Sequence, residues 1–156
     1  MKRLLKAPLF IPALLFAAPA FAQKDSVKLI CPLEEAKVVP PPRNQLKLDE
    51  SDYCIVLTSI PDTVVKSVGT GRITNTENTE ESGYGLVMFT KINGKEYYLW
   101  FTGMNKLLVK RNDVVKPGQA LGYISSGNKI ELTMYEFETP VDPLRFLNCA
   151  GVLKGF

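Results

Sequence analysis

Between residues 86 and 101 the sequence commits the chain to antiparallel β-structure. Leu86-Val87-Met88-Phe89-Thr90-Lys91-Ile92 is followed by Asn93-Gly94, and then by the second β-rich run, Lys95 to Phe101. Asn-Gly between two such runs predicts a tight hairpin, because both central positions must take positive φ. Other segments agree. Cys54-Ile55-Val56-Leu57 reads as a short buried strand, and Val64 to Ile73 as two strand-like pieces broken by Gly69 and Gly71. Ala120 to Ile124 and Lys129 to Phe137 read as two more strands. In Val115-Lys116-Pro117-Gly118, proline fixes φ and the following glycine supplies the positive φ of a turn. Asp142-Pro143 predicts one capped helical turn, with Asp at the cap and Pro at the first helical position. Asn75 to Ser82 is polar and is expected to be a mobile loop. No segment keeps a helical period and no repeat is present, so the expected architecture is one all-β, antiparallel domain.

The N-terminus reads as an export signal. Met1-Lys2-Arg3 and Lys6 form a basic start, Leu9 to Ala18 is a short apolar core, and Ala20-Phe21-Ala22 fits the small-x-small rule, so cleavage is expected before Gln23. The alternative is an uncleaved anchor, for which the apolar run is short. The residue before Cys31 is not small, so no lipid attachment is expected there. Loss of residues 1–22 removes three of the 19 basic residues, leaving 16 against 16 acidic ones. A neutral exported chain is a poor partner for nucleic acid and has no further membrane span. The 134 residues that remain are enough for one core. Residues 23–51 read as an N-terminal extension in which Val38-Val39-Pro40-Pro41-Pro42 is stiff and extended, as a spacer or a proline-rich ligand, and Asn44 to Ser51 as a connection containing one edge strand. The domain proper is expected over 52–150, with a tail at 151–156.

Cys31, Cys54 and Cys149 would meet an oxidising periplasm, where one disulfide plus one free thiol is the natural outcome. Cys54–Cys149 and Cys31–Cys149 both tie the N-terminal region to the C-terminal tail, and three buried thiols would be the bland alternative.

Four features, in order, carry a resemblance to a known family. They are Val65-Lys66-Ser67-Val68-Gly69-Thr70-Gly71-Arg72-Ile73, Gly83-Tyr84-Gly85-Leu86-Val87, the stretch Val109 to Gly122, and Tyr135-Glu136-Phe137 followed by Pro140-Val141-Asp142-Pro143-Leu144. The third contains Asp113-Val114-Val115, Pro117-Gly118-Gln119 and Leu121-Gly122; alone it also fits lipoyl- and biotinyl-type barrels. As an ordered set over roughly 52–147 they resemble the lysostaphin-type, LytM-like zinc endopeptidases that cut peptidoglycan. The resemblance implies a LytM-like domain of the duplicated hybrid-motif, barrel-sandwich type. It also implies a zinc site built from histidines, and this sequence has no histidine. By spacing, the first ligand pair falls on Asp52 and Val56, the histidine that polarises water near Gly103, and the final His-x-His on Leu132 and Met134. One carboxylate does not make a zinc site, so neither a metal nor another cofactor is expected, and no catalytic residue is assigned.

Leu132 and Met134 are two apart on a strand and share a face. Either that face has become core, or it is an open apolar groove for a peptide or protein, with Val56, Gly103, Tyr84, Trp100 and Phe101 completing its surface. Other constellations are weaker. Asp49-Glu50-Ser51-Asp52 lacks the alternating ligands and glycine of a calcium loop. Ser125-Ser126-Gly127 has no base to activate a serine. Lys106, Lys110, Arg111 and Lys116 read as a solvated basic patch. Lys95 beside Asn93-Gly94 lacks the surroundings of a lipoylated lysine. Glu131, Glu136 and Glu138 could supply a carboxylate pair for a histidine-free cell-wall hydrolase, with Glu136 and Glu138 expected to share a face at strand spacing.

What the resemblance implies is a non-catalytic periplasmic binding or scaffolding module that acts through cell-envelope proteins, with regulation of a peptidoglycan hydrolase as one form of that role. The alternatives are a structural subunit of an envelope-spanning secretion assembly and a peptidoglycan-binding module. The sequence contains no coiled coil or separate wall-binding module, which favours the assembly subunit over self-contained regulation.

Overall fold

The computed structural model describes residues 28–39, 53–61 and 63–149. The expected signal peptide, the three prolines, the polar connection with its edge strand, Asp52 and the tail lie outside these residues. Strands in chain order are β1 (Leu29–Ile30), β2 (Lys37–Val39), β3 (Cys54–Thr58), β4 (Val64–Lys66), β5 (Gly71–Thr79), β6 (Gly83–Ile92) and β7 (Lys95–Met104), then β8 (Lys106–Leu107), β9 (Val114–Val115), β10 (Ala120–Tyr123), β11 (Lys129–Glu136), β12 (Thr139–Val141) and β13 (Leu147–Asn148). The main sheet has the order β2-β3-β11-β7-β6-β5-β9, with β12 also on β11; a second sheet is β4-β10-β8, and β1 pairs in parallel with β13. All pairings in the two larger sheets are antiparallel, so the domain is nearly all β, as expected. No described helix is long and apolar enough to cross a membrane.

The β6–β7 hairpin turns at Asn93 (φ 52°) and Gly94 (φ 81°), which gives the two positive φ values its sequence requires. Gly118 has φ 77° in the turn after Pro117. Asp113 and Gln119, the polar residues of the third motif, hold their loops together: their side chains accept from the Lys110 and Lys116 backbone N–H groups at 2.9 and 3.1 Å. The Asp142 carboxylate accepts from Leu144 N at 2.9 Å and starts a 3-10 turn, Pro143–Arg145.

One core lies against the inner face of the main sheet. It collects Ile55 and Leu57 from β3, Leu86 and Met88 from β6, Leu99 and Phe101 from β7, and Ile130, Leu132 and Met134 from β11; Val65 and Leu121 join from the second sheet. Residues 28–39, expected to form an extension before the domain, are built into it. Leu29, Leu33 and Ala36 are core residues, and β2 pairs with β3. Of the two disulfides the sequence allowed, Cys31–Cys149 forms, across a separation of 118 residues; Cys54 is the unbridged cysteine and is half-buried. A loop of that length stabilises the fold by about 4–5 kcal/mol in the chain-entropy account.

The expected loop over Asn75 to Ser82 is instead mostly strand: β5 continues to Thr79, and only the turn to β6 is irregular. Pairing with β6 at seven positions of that strand supplies the order that its polar side chains do not.

Candidate functional site

Strand alternation divides the sheet residues between two faces. On β11, Ile130, Leu132 and Met134 point into the core, while Glu131, Thr133 and Tyr135 point outward. On β7, Leu99 and Phe101 point inward, and Tyr98, Trp100 and Thr102 outward. Leu132, Met134 and Phe101 are all 0% exposed. Of the two alternatives for this face, these three residues are therefore core and do not line a surface groove. The physical reason is phase: Leu132 pairs with Phe101 and Met134 with Leu99, so every side chain in that row is apolar and is closed over by the second sheet and its loops.

The outward face is ordered by the same register. Cys54 stands opposite Thr133, Thr133 opposite Trp100, and Trp100 opposite Val87. The next row is Tyr135, Tyr98 and Phe89. Val56 belongs to this face: it pairs with Glu131, which also pairs with Thr102, and it is buried outside the main core. Trp100, 45% exposed, lies with Tyr98, Tyr135, Val87 and Phe137 around a shallow cavity of about 480 Å³, whose polar edge is Thr74, Asn75 and Glu138. The Trp100 and Tyr135 rings are 6.4 Å apart and tilted, as are Phe89 and Tyr98 at 5.4 Å, an arrangement that aromatic quadrupoles favour. Phe137 holds φ 57° and is 68% exposed at the β11–β12 turn, a conformation that bulky side chains rarely adopt. Tyr84 is also exposed, but it does not line this cavity. Phe137 and Tyr135 were not singled out as a surface from sequence; the alternation of Thr133, Tyr135 and Phe137 against Leu132 and Met134 was the available signal.

On the outward face of β11 stand Glu131, opposite Val56, and Thr133, opposite Cys54. Zinc takes nitrogen, sulfur and carboxylate donors. Valine supplies none, a threonine hydroxyl is not a usual ligand, and Glu131 with Cys54 falls short of the three protein ligands a zinc site needs. At Gly103, φ is 93°, and a Cβ would lie 2.5 Å from the Lys129 carbonyl oxygen. The backbone thus has no room there for any side chain, imidazole included. No group of three or more His, Cys, Asp or Glu able to hold a metal occurs among the described residues. The described residues do not fit zinc.

Glu136 and Glu138 do not share a face. β11 ends at Glu136 and the chain turns at Phe137, so Glu138 edges the aromatic cavity while Glu136 is held elsewhere. The Glu136 carboxylate accepts from Lys95 Nζ at 2.6 Å and from the Tyr97 hydroxyl at 3.1 Å. The Lys95 hydrogen bond keeps the Glu136 carboxyl below the usual glutamate range, with the Tyr97 hydroxyl and the lysine charge adding to it against a smaller effect of burial. Tyr97 is pushed above the usual tyrosine value, first by burial and then by its bond to Glu136. Such a tied carboxylate is a structural clasp between β7 and β11, not a proton donor. Lys106, Lys110, Arg111 and Lys116 are exposed, as expected for a solvated patch.

The comparisons with known proteins follow the geometry. The profile of Peptidase family M23 matches residues 51–143. Among solved structures, the solution structure of lysostaphin aligns with TM-score 0.57 at 21% identity, covering 76% of this chain and 54% of that one. Helicobacter pylori Csd3 aligns with TM-score 0.62 at 20% identity, over 83% of this chain and 38% of that one. The structure of the SpoIIQ–SpoIIIAH pore-forming complex aligns with TM-score 0.58 at 14% identity, over 79% of this chain and 92% of that one. The match thus spans about half of lysostaphin and under two-fifths of Csd3. The comparison with curated proteins gives no match.

Proposed function

The chain belongs to peptidase family M23, and we propose that it is a non-catalytic member, a periplasmic binding or scaffolding module that acts through protein partners in the cell envelope. The observation that carries this reading is Gly103. The position expected to hold a histidine has a left-handed backbone pressed against the Lys129 carbonyl, so what is missing is the space for an imidazole as well as the imidazole. Of the other expected ligand positions, Val56, Leu132 and Met134 carry no zinc donor, and no group of three or more His, Cys, Asp or Glu able to hold a metal occurs among the described residues. In place of a metal centre the outward face presents Trp100, Tyr98, Tyr135 and Phe137, residue types that dominate protein interfaces. The disulfide supports an oxidising compartment.

A second reading is a structural subunit of an envelope-spanning assembly. One resemblance favours it: the fold aligns over most of a chain in the SpoIIQ–SpoIIIAH pore-forming complex. Regulation of a peptidoglycan hydrolase is the first reading's most specific form.

The test is a zinc assay and a cell-wall digest on the purified protein, followed by crosslinking in its own envelope and mass spectrometry of what is captured. The expected result is no stoichiometric zinc, no muropeptide release and one defined set of envelope proteins. Bound zinc or released muropeptides would overturn the reading, and capture of peptidoglycan fragments alone would replace it with a wall-binding module.

A further inference from the structure

The polar strand β5 offers a second surface, distinct from the aromatic face. β6 pairs with one of its edges from Arg72 to Thr79. On the other edge β9 pairs only with Gly71 and Arg72, and backbone bonds from the Asn112–Asp113 loop reach only Ile73. From Thr74 to Thr79 no described strand covers that edge. Alternate residues of an antiparallel strand direct both their N–H and C=O away from the paired neighbour, so this stretch presents a row of backbone donors and acceptors.

Edges of this kind are ordinarily blunted by lysine, proline or a bulge. Thr74 to Ser82 contains neither lysine nor proline, and the one register shift lies between Ile73 and Asn75, where β9 has already left. The charged residues of the stretch are Glu77, Glu80 and Glu81, all of one sign. A second copy pairing through the same edge would set these carboxylates near each other, which is unfavourable. A basic strand would meet no such penalty. Thr74 and Asn75 also form one wall of the aromatic cavity, so a strand added here runs along the outer side of that wall, with β5 between it and Val87.

We propose that Thr74–Thr79 is a docking edge at which an extended, basic segment of a protein partner adds to the main sheet as a further strand. Its backbone bonds to β5, its lysine or arginine side chains face Glu77, Glu80 and Glu81, and one of its side chains packs against the Thr74–Asn75 rim of the cavity. This is strand addition to an open sheet edge, in which main-chain bonds give affinity and alternate side chains give specificity. The proposal rests on the reading that the chain works through protein partners.

The probe is a synthetic peptide of four Lys-Val repeats, titrated into the isotope-labelled chain with its disulfide intact. The expected result is amide shifts and slowed hydrogen exchange confined to Thr74–Thr79. The same peptide N-methylated at alternate residues should bind at least tenfold more weakly, and a Glu80→Lys/Glu81→Lys chain should also bind at least tenfold more weakly. Equal binding of the methylated peptide, or shifts that avoid residues 74–79, would overturn the proposal. Capture from the envelope then separates this proposal from the reading beneath it. Proteins that come equally with the wild-type chain and the Glu80→Lys/Glu81→Lys chain would leave the partner reading standing and remove the edge from it. If neither chain captures protein, the partner reading itself fails.

Discussion

Gly103 and the carbonyl of Lys129 are in such close contact that a Cβ on the glycine would stand 2.5 Å from the oxygen. Contact and left-handed φ together make this a position for glycine alone. Gly103→His should therefore fail to restore a metal site and should destabilise the domain by about 2–4 kcal/mol. Denaturant unfolding with and without zinc checks both: a stable variant that zinc further stabilises would show that the site had been only one residue from function.

Neighbouring residues on β11 should respond in opposite ways to the same charge. Met134→Glu places an unpaired carboxylate in a fully buried row and should leave the chain unfolded or molten, at a cost above about 4 kcal/mol. Thr133→Glu, on the outward face, should cost less than about 1 kcal/mol. Circular dichroism of both variants decides, and a folded Met134→Glu protein would contradict the assigned phase of the strand.

The Cys31–Cys149 bond should contribute about 2–5 kcal/mol. Cys31→Ser and Cys149→Ser should each lower the urea midpoint and make it insensitive to reductant. Cys54→Ser should leave both the midpoint and its response to reductant as in the wild type.

Glu136 gives a pH dependence with a definite sign. Its carboxyl pKa is lowered in the folded chain from an ordinary value of 4.5, chiefly by the Lys95 hydrogen bond. The stabilisation it brings is complete above that ordinary value and is lost as pH falls through the lowered one. Lys95, raised by the same contact, contributes fully below its ordinary value of 10.5 and loses that contribution as pH rises through the raised value. Urea midpoints of Glu136→Gln and wild type should differ at pH 7 and converge at low pH.

Trp100 is the single tryptophan of the chain and is 45% exposed on the outward face. Trp100→Ala should cost less than about 1 kcal/mol in stability yet weaken capture of any partner seated on that face by tenfold or more. In the wild type, such a partner should shift tryptophan fluorescence to the blue. An unshifted spectrum with partner bound would move the interface elsewhere.

Much of this architecture is legible in the sequence where local chemistry is decisive. Asn93-Gly94 specifies its turn, and Asp142-Pro143 its cap, through backbone constraints that no tertiary context reverses. Thr74 to Thr79 was illegible as strand because one face meets solvent and the other little apolar surface, so the pattern that marks a strand is missing there. The β11 alternation was visible, and what it lacked was the face. Ile130, Leu132 and Met134 could equally have floored a groove, and only the pairing of Leu132 with Phe101 and Met134 with Leu99 shows that they close the core. The part played by Leu29, Leu33 and Ala36 was hidden by the polar residues around them and by their distance in sequence from the strands they cover.

The Cys31–Cys149 bond also fixes how the domain carries load. β1 and β13 lie side by side with the covalent link next to them, so tension applied through the flanking segments passes from one end of the fold to the other without crossing the sheets. With the bond intact, the stretch between the two cysteines, a sequence separation of 118, is shielded from pulling. Once it is reduced, the same stretch can pay out to about 400 Å. The redox state of one bond would thus separate a rigid coupling from a long, compliant one.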